Sequence, residues 1–227
     1  MNDSSKRVKW KLNPSALRRY GGLCASCIGL TANLVIAAVE PNVSIFSGHV
    51  IGMASAVGLL LPLSLLSFTA LRGATRDFSH AMLNAATVVA ISIGFACIYY
   101  NKQINKKPHF TTYHSWVGLA AFLAMAAASM GGALYYYGRG FLPRSVSVVV
   151  KKVHRTAGWP VFFVGLAAME LAMYSGWTVK HPLLSAWWCW YMVVCLVPLL
   201  GAMLYVVVAK APPVYIFVRD EEGKKAE

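Results

Sequence analysis

The chain has 227 residues, 58% of them hydrophobic and 13% charged, and a formal net charge of +13. A mean hydropathy of +0.56 excludes an ordinary soluble domain and points to an integral membrane protein. A spanning helix needs roughly 20 apolar residues to cross a hydrocarbon core about 30 Å thick.

Six intervals free of Lys, Arg and Asp meet that length: 20–39, 41–71, 78–101, 108–138, 156–179 (interrupted by Glu170) and 181–209. Unpaired backbone groups are prohibitive in lipid, so each interval is expected to be helical. The predicted fold is all-α and polytopic: six transmembrane helices over 20–209, with a central four-helix bundle, a segment 1–19 before them and a tail 210–227 after them.

Counting Lys and Arg on alternate sides orients the bundle. Seventeen fall on one side: six up to Arg19, then Arg72 and Arg76, five from Arg139 to Arg155, and four in the tail. Lys102, Lys106, Lys107 and Lys180 are on the other. By the positive-inside rule both termini are cytoplasmic. The basic excess is thus mostly topology, and no nucleic-acid partner is expected.

The first helix follows a basic leader, but its apolar run of 20 residues, positions 20–39, exceeds a cleavable signal core and reads as an uncleaved anchor. Cys24 and Cys27 form a CxxC whose side chains are turned about 300° apart on a helix, facing lipid or a neighbour. Cys97, Cys189 and Cys195 read as small apolar residues. The sequon Asn42-Val43-Ser44 lies on the outer side, against the membrane edge.

The histidines carry the chemistry. Four fall just inside the ends of four consecutive helices: His49 near the outer start of the second, His80 near the inner start of the third, His114 at the outer start of the fourth, His154 at the inner start of the fifth. They sort into two levels, two per level; His109 and His181 sit in outer loops. A single histidine near a helix end can be an interfacial residue with a wet ring. Polar side chains inside a bilayer, however, generally face the bundle interior, and a neutral imidazole is a common metal ligand.

Two imidazoles per level suit the axial positions of a haem. A zinc site wants three or four protein ligands at one point, and the only carboxylate near either level at its histidines is Asp77, beside His80. Small residues around His49 (Gly48, Gly52, Ala54, Ala56, Gly58) and after His114 (Gly118, Ala120, Ala121, Ala126, Ala127, Ala128, Gly131, Gly132) offer room for a porphyrin, and equally for tight helix packing. With each ligand one turn inside its interface, the two levels are roughly 20 Å apart. Glu170, sixteen residues past His154, is expected near the outer level, to tune a haem there or relay a proton.

The segments SGHVIGM around His49, FSHAMLN around His80, YHSWVGL around His114 and KVHRTAGWPVFF around His154 resemble the four haem-ligand segments of the cytochrome b561 family, over about residues 45–176. The resemblance implies two haem b, His49 with His114 outside and His80 with His154 inside, and electron transfer from cytosolic ascorbate. It implies outer contacts at His109, Phe110 and Tyr113, and basic inner contacts at Arg72, Arg76, Lys151, Lys152 and Arg155. The expected activity is that of a transmembrane ascorbate-dependent oxidoreductase delivering electrons to monodehydroascorbate or a ferric chelate. An endosomal, lysosomal, vacuolar or plasma membrane would house it, and family members form homodimers. A haem-bearing anchor subunit of a quinone-linked complex and a polytopic metal transporter are the alternatives.

Overall fold

A computed structural model describes residues 9–138, 140–181, 184 and 215–218. Strand β1 (Lys9–Leu12) precedes helix α1 (Pro14–Val39). Helix α2 (Ile45–Ala70), α3 (Gly73–Ile104), α4 (Tyr113–Gly138) and α5 (Arg144–Ala172) follow, then a short helix α6 (Gly176–Lys180) and strand β2 (Tyr215–Val218). Among the described residues four helices are long and apolar enough to cross a membrane: α1 over Tyr20–Val39, α2, α3 and α4.

The fifth predicted interval is relocated. Helix α5 starts at Arg144 rather than 156, because Lys and Arg are good helix formers and a helix need not begin where charge ends. It stops at Ala172 rather than 179. There Ser175 caps a new helix, its hydroxyl accepting from Thr178 N (3.3 Å) while Thr178 Oγ1 donates back to Ala172 O (2.8 Å). Of the sixth interval only His181 and Leu184 lie within the described residues. Strands β1 and β2, which apolar run-length does not predict, pair antiparallel with Lys9 opposite Val218 and Leu12 opposite Tyr215. This pairing brings Tyr215–Val218 beside the strand that precedes α1.

The core is two helical hairpins. Helix α2 packs along α3, and α4 along α5; the two hairpins touch each other much less. The α2–α3 contact needs glycine: a Cβ on Gly52 would lie 2.7 Å from Ala90 O and 2.8 Å from Gly94 Cα, so the backbones approach as small residues allow. The link between these helices is only Leu71 and Arg72, closed by Gly73 at φ +60°, a left-handed conformation that glycine adopts at no steric cost. Ser44 starts α2 with a capping box: its hydroxyl accepts from Ser47 N (3.2 Å), and Ser47 Oγ accepts from Ser44 N (2.9 Å). Helix α1 lies against α2, and its Cys27 is fully buried, as an apolar residue would be.

Helix α2 is not α-helical throughout. Ala54–Leu60 is a π-helical stretch between two α-helical halves. Thr31 Oγ1 reaches from α1 to donate to Ala54 O at its start (3.4 Å), and Gly58 lies where a Cβ would meet that hydroxyl at 2.8 Å.

Candidate functional site

The four helix-end histidines meet in two pairs. His49 on α2 faces His114 on α4, with ring centroids 6.2 Å apart and planes at 78°. His80 on α3 faces His154 on α5, at 5.9 Å and 74°. Every pair therefore joins one hairpin to the other.

Each ring is anchored through Nδ1 by a carbonyl on the neighbouring helix of its own hairpin. His49 donates to Gly94 O (3.0 Å), His114 to Ala168 O (2.8 Å), His154 to Ala128 O (2.8 Å) and His80 to Ser64 O (3.1 Å). A carbonyl only accepts, so the Nδ1 proton is fixed and Nε2 keeps its lone pair. His80 Nε2 lies 3.1 Å from Asn84 Nδ2. Holding one ring nitrogen by an acceptor, so that the other is left to ligate, is how metal-binding histidines are oriented.

The anchors also set the spacing of the levels. On α3, His80 and Gly94 are fourteen residues apart; His114 and Ala128 on α4, and His154 and Ala168 on α5, repeat that spacing. Fourteen residues rise about 21 Å. On α2 the corresponding pair, His49 and Ser64, is fifteen apart, and the π-helical stretch lies between them. A π-bulge absorbs the extra residue that would otherwise turn Ser64 by about 100°.

Each pair has its own cavity. The outer one, about 350 Å³, is lined by His49 and His114 with small residues Gly118, Ala121, Gly165 and Ala168 and an apolar wall. The inner one, about 220 Å³, has His80 and His154 among Leu65, Phe68, Met125 and Trp159. Gly132 packs on the face of His154, where a Cβ would lie 2.6 Å from Cε1. Gly118 and Ala121 thus make room for a ligand, whereas Gly52 and Gly48 make room for α3.

The donor set fits a haem. Two imidazoles that share one metal atom, with bonds of about 2.0 Å, have centroids about 6 Å apart, close to both observed separations. Among the described residues no three His, Cys, Asp or Glu gather as a protein-only metal site would require.

The remaining sequence-selected residues divide. His109 and Phe110 line the outer cavity. His109 stacks on Tyr99 (4.4 Å), and Phe110, at φ +52°, a conformation uncommon for a bulky residue, lies 5.6 Å from Trp116. Tyr113 is 83% exposed and is not in the cavity wall: as the first residue of α4 it is turned about 100° from His114. Glu170 is likewise exposed; it stands two residues, about 200°, around α5 from Ala168, which faces the cavity. Glu170 is therefore not placed in the wall of the outer cavity.

At the inner side Arg155 lines the cavity. Arg76 pairs with Asp77 (2.8 Å) and lies over Phe68 (4.7 Å), whose ring centroid is 5.3 Å from that of His80. Arg72, Lys151 and Lys152 are exposed and outside that wall, Lys151 lying over Tyr135 (5.3 Å). Three polar residues were missed. Lys102, read from the sequence as a topology marker, lines the outer cavity and donates to Pro108 O (3.0 Å). Ser64 and Asn84 surround His80; a polar residue one turn after a histidine on an apolar helix was the available signal.

Apolar helices, two levels of facing imidazoles and a cavity at each level define a membrane protein of the redox-carrier class. The model of the eukaryotic cytochrome b561 family matches residues 43–179, more than half of the chain, and the chain belongs to that family. It is 28% identical to transmembrane reductase CYB561D2 of Mus musculus over 181 residues, 76% of this chain and 81% of that one. It is 26% identical to probable transmembrane reductase CYB561D1 of Homo sapiens, over 76% and 78% of the two chains. The plasma membrane ascorbate-dependent reductase CYBRD1 of Mus musculus is 26% identical over 105 residues, 45% of this chain and 36% of its own. The family implies b-type haem and transmembrane electron transfer, and the chain is an oxidoreductase.

Proposed function

We propose that this chain passes single electrons across a bilayer through two b haems, one held by His49 and His114 and the other by His80 and His154. Six helices span the membrane in this reading, with both termini cytosolic. The pairing of β1 with β2 supports an even number of crossings. Bound haem iron supplies a one-electron carrier at each level.

The observation that carries the reading is the set of four Nδ1 anchors on rings that meet in two pairs, which leaves Nε2 of each ring as the ligating atom; at His80 the iron would take the place of Asn84 Nδ2 beside it. The chain's own residues then do three things. The backbone carbonyls hold the imidazoles in one tautomer, the apolar walls keep water from the two levels, and the cations at the cavity mouths favour anions. Arg155, with Arg76 nearby, faces a cytosolic donor, which we take to be ascorbate; the name of the CYBRD1 relative supports that choice. Lys102 and His109 face an outer acceptor, monodehydroascorbate or a ferric chelate. Lys102 offers positive charge, and His109 hydrogen-bonds a carboxylate or an enediolate oxygen. Arg72, Lys151 and Lys152 contribute only to the general field.

A His80→Ala variant should lose the inner haem and a His114→Ala variant the outer. A pyridine haemochrome assay should find about two haems per wild-type chain and about one in each variant; two retained in either variant contradicts the pairing.

A further inference from the structure

His80 differs from the other three histidines in what holds it. His49, His114 and His154 each donate from Nδ1 to one backbone carbonyl. His80 Nδ1 has two oxygens in reach, Ser64 O at 3.1 Å and Ser64 Oγ at 3.0 Å. Ser64 is fully buried, and its hydroxyl uses its whole hydrogen-bonding capacity: it donates to His80 O (3.3 Å), accepts from Asn84 Nδ2 (2.8 Å) and accepts from His80 Nδ1. Asn84 Nδ2 also donates to His80 O (3.1 Å). The hydroxyl cannot turn away without breaking three contacts in a buried site.

We propose that Ser64, oriented by Asn84, is a positioning residue that lowers the reduction potential of the inner haem through His80. This inference rests on the two-haem reading above. An acceptor on the distal N–H draws its proton away from the ring and makes the imidazole a more basic ligand. A more basic ligand favours the more highly charged metal ion, hence the oxidised state. The second acceptor at His80 therefore makes the inner haem the weaker oxidant of the two, and an electron entering from the cytosolic side leaves it readily for the outer level. Among the described residues nothing equivalent holds His154, His49 or His114.

The test is a potentiometric titration of the haem-loaded protein in detergent, in two backgrounds. His114→Ala leaves the inner haem alone to be read, and His80→Ala leaves the outer. Adding Ser64→Ala to the first background should raise the midpoint potential. Adding it to the second should leave the midpoint unmoved. Ser64→Cys, whose thiol is a weak acceptor, should give a smaller rise than Ser64→Ala. An inner midpoint unchanged by Ser64→Ala, or an equal shift at the outer haem, overturns the proposal. If Ser64→Ala releases the inner haem, Ser64→Cys decides by the same measure; loss of the haem in both makes Ser64 a purely structural residue and overturns it too. The parent reading fails separately, if the His114→Ala protein without any Ser64 change does not hold one haem.

Discussion

Gly132 has no side chain because His154 occupies the space. A Cβ there would lie 2.6 Å from Cε1, 3.0 Å from Nδ1 and 3.1 Å from Nε2, and the ring cannot retreat without leaving Ala128 O. Overpacking of this kind costs about 1–3 kcal/mol. A Gly132→Ala variant should therefore bind the inner haem roughly 5- to 150-fold more weakly, measured by titrating haem into the apo-protein. Gly131→Ala is the control, since nothing lies within 4 Å of a Cβ there. The histidines themselves were legible in the sequence because an ionisable ring in an apolar run has few uses, and depth alone sorted them. Gly132 and Ser64 were not, and Asn84 only as a polar residue one turn after His80. Glycine in a membrane helix reads as packing, and a serine on α2 gives no sign that it bonds to a ring on α3. Tyr113 and Glu170 show the converse: run-length gives a residue's height in the membrane, but its azimuth depends on which helix face is turned inward.

The histidine-to-anchor spacing is a property of elements. Three helices keep fourteen residues between a histidine and the carbonyl that serves the other level; α2 has fifteen and contains the π-helical Ala54–Leu60. Deleting Leu59 should let α2 close as a continuous α-helix and keep both haems. Deleting Leu123 from α4, which has no bulge to absorb the change, turns Ala128 by about 100° relative to His114. That variant should hold at most about one haem per chain, by the same haemochrome assay. Equal losses in both deletions would show that the bulge is not a register device. A sequence cannot announce such a bulge, because it appears only when two contacts at opposite ends of a helix are compared. The end of α5 was hidden for a related reason: apolar character continues past Ala172, while the break comes from the Ser175 cap.

At the scale of the molecule, each hairpin contributes one outer and one inner histidine, and neither hairpin alone completes a pair. In the proposed reading the electron path lies where the hairpins face each other, where sparse contact between them leaves a cavity at each level. Lys102 and His109 sit at the outer cavity and Arg155 at the inner, so the two mouths are cationic at opposite ends of an apolar interior. The central claim is that one chain carries electrons from one aqueous phase to the other. Vesicles containing the haem-loaded protein, filled with ascorbate and placed in a membrane-impermeant ferric chelate, test it by the appearance of ferrous iron outside. The wild type should reduce the external chelate well above the rate of protein-free vesicles, and the His80→Ala protein should fall back to that rate. External iron reduced no faster by the two-haem wild type than by empty vesicles would contradict the account.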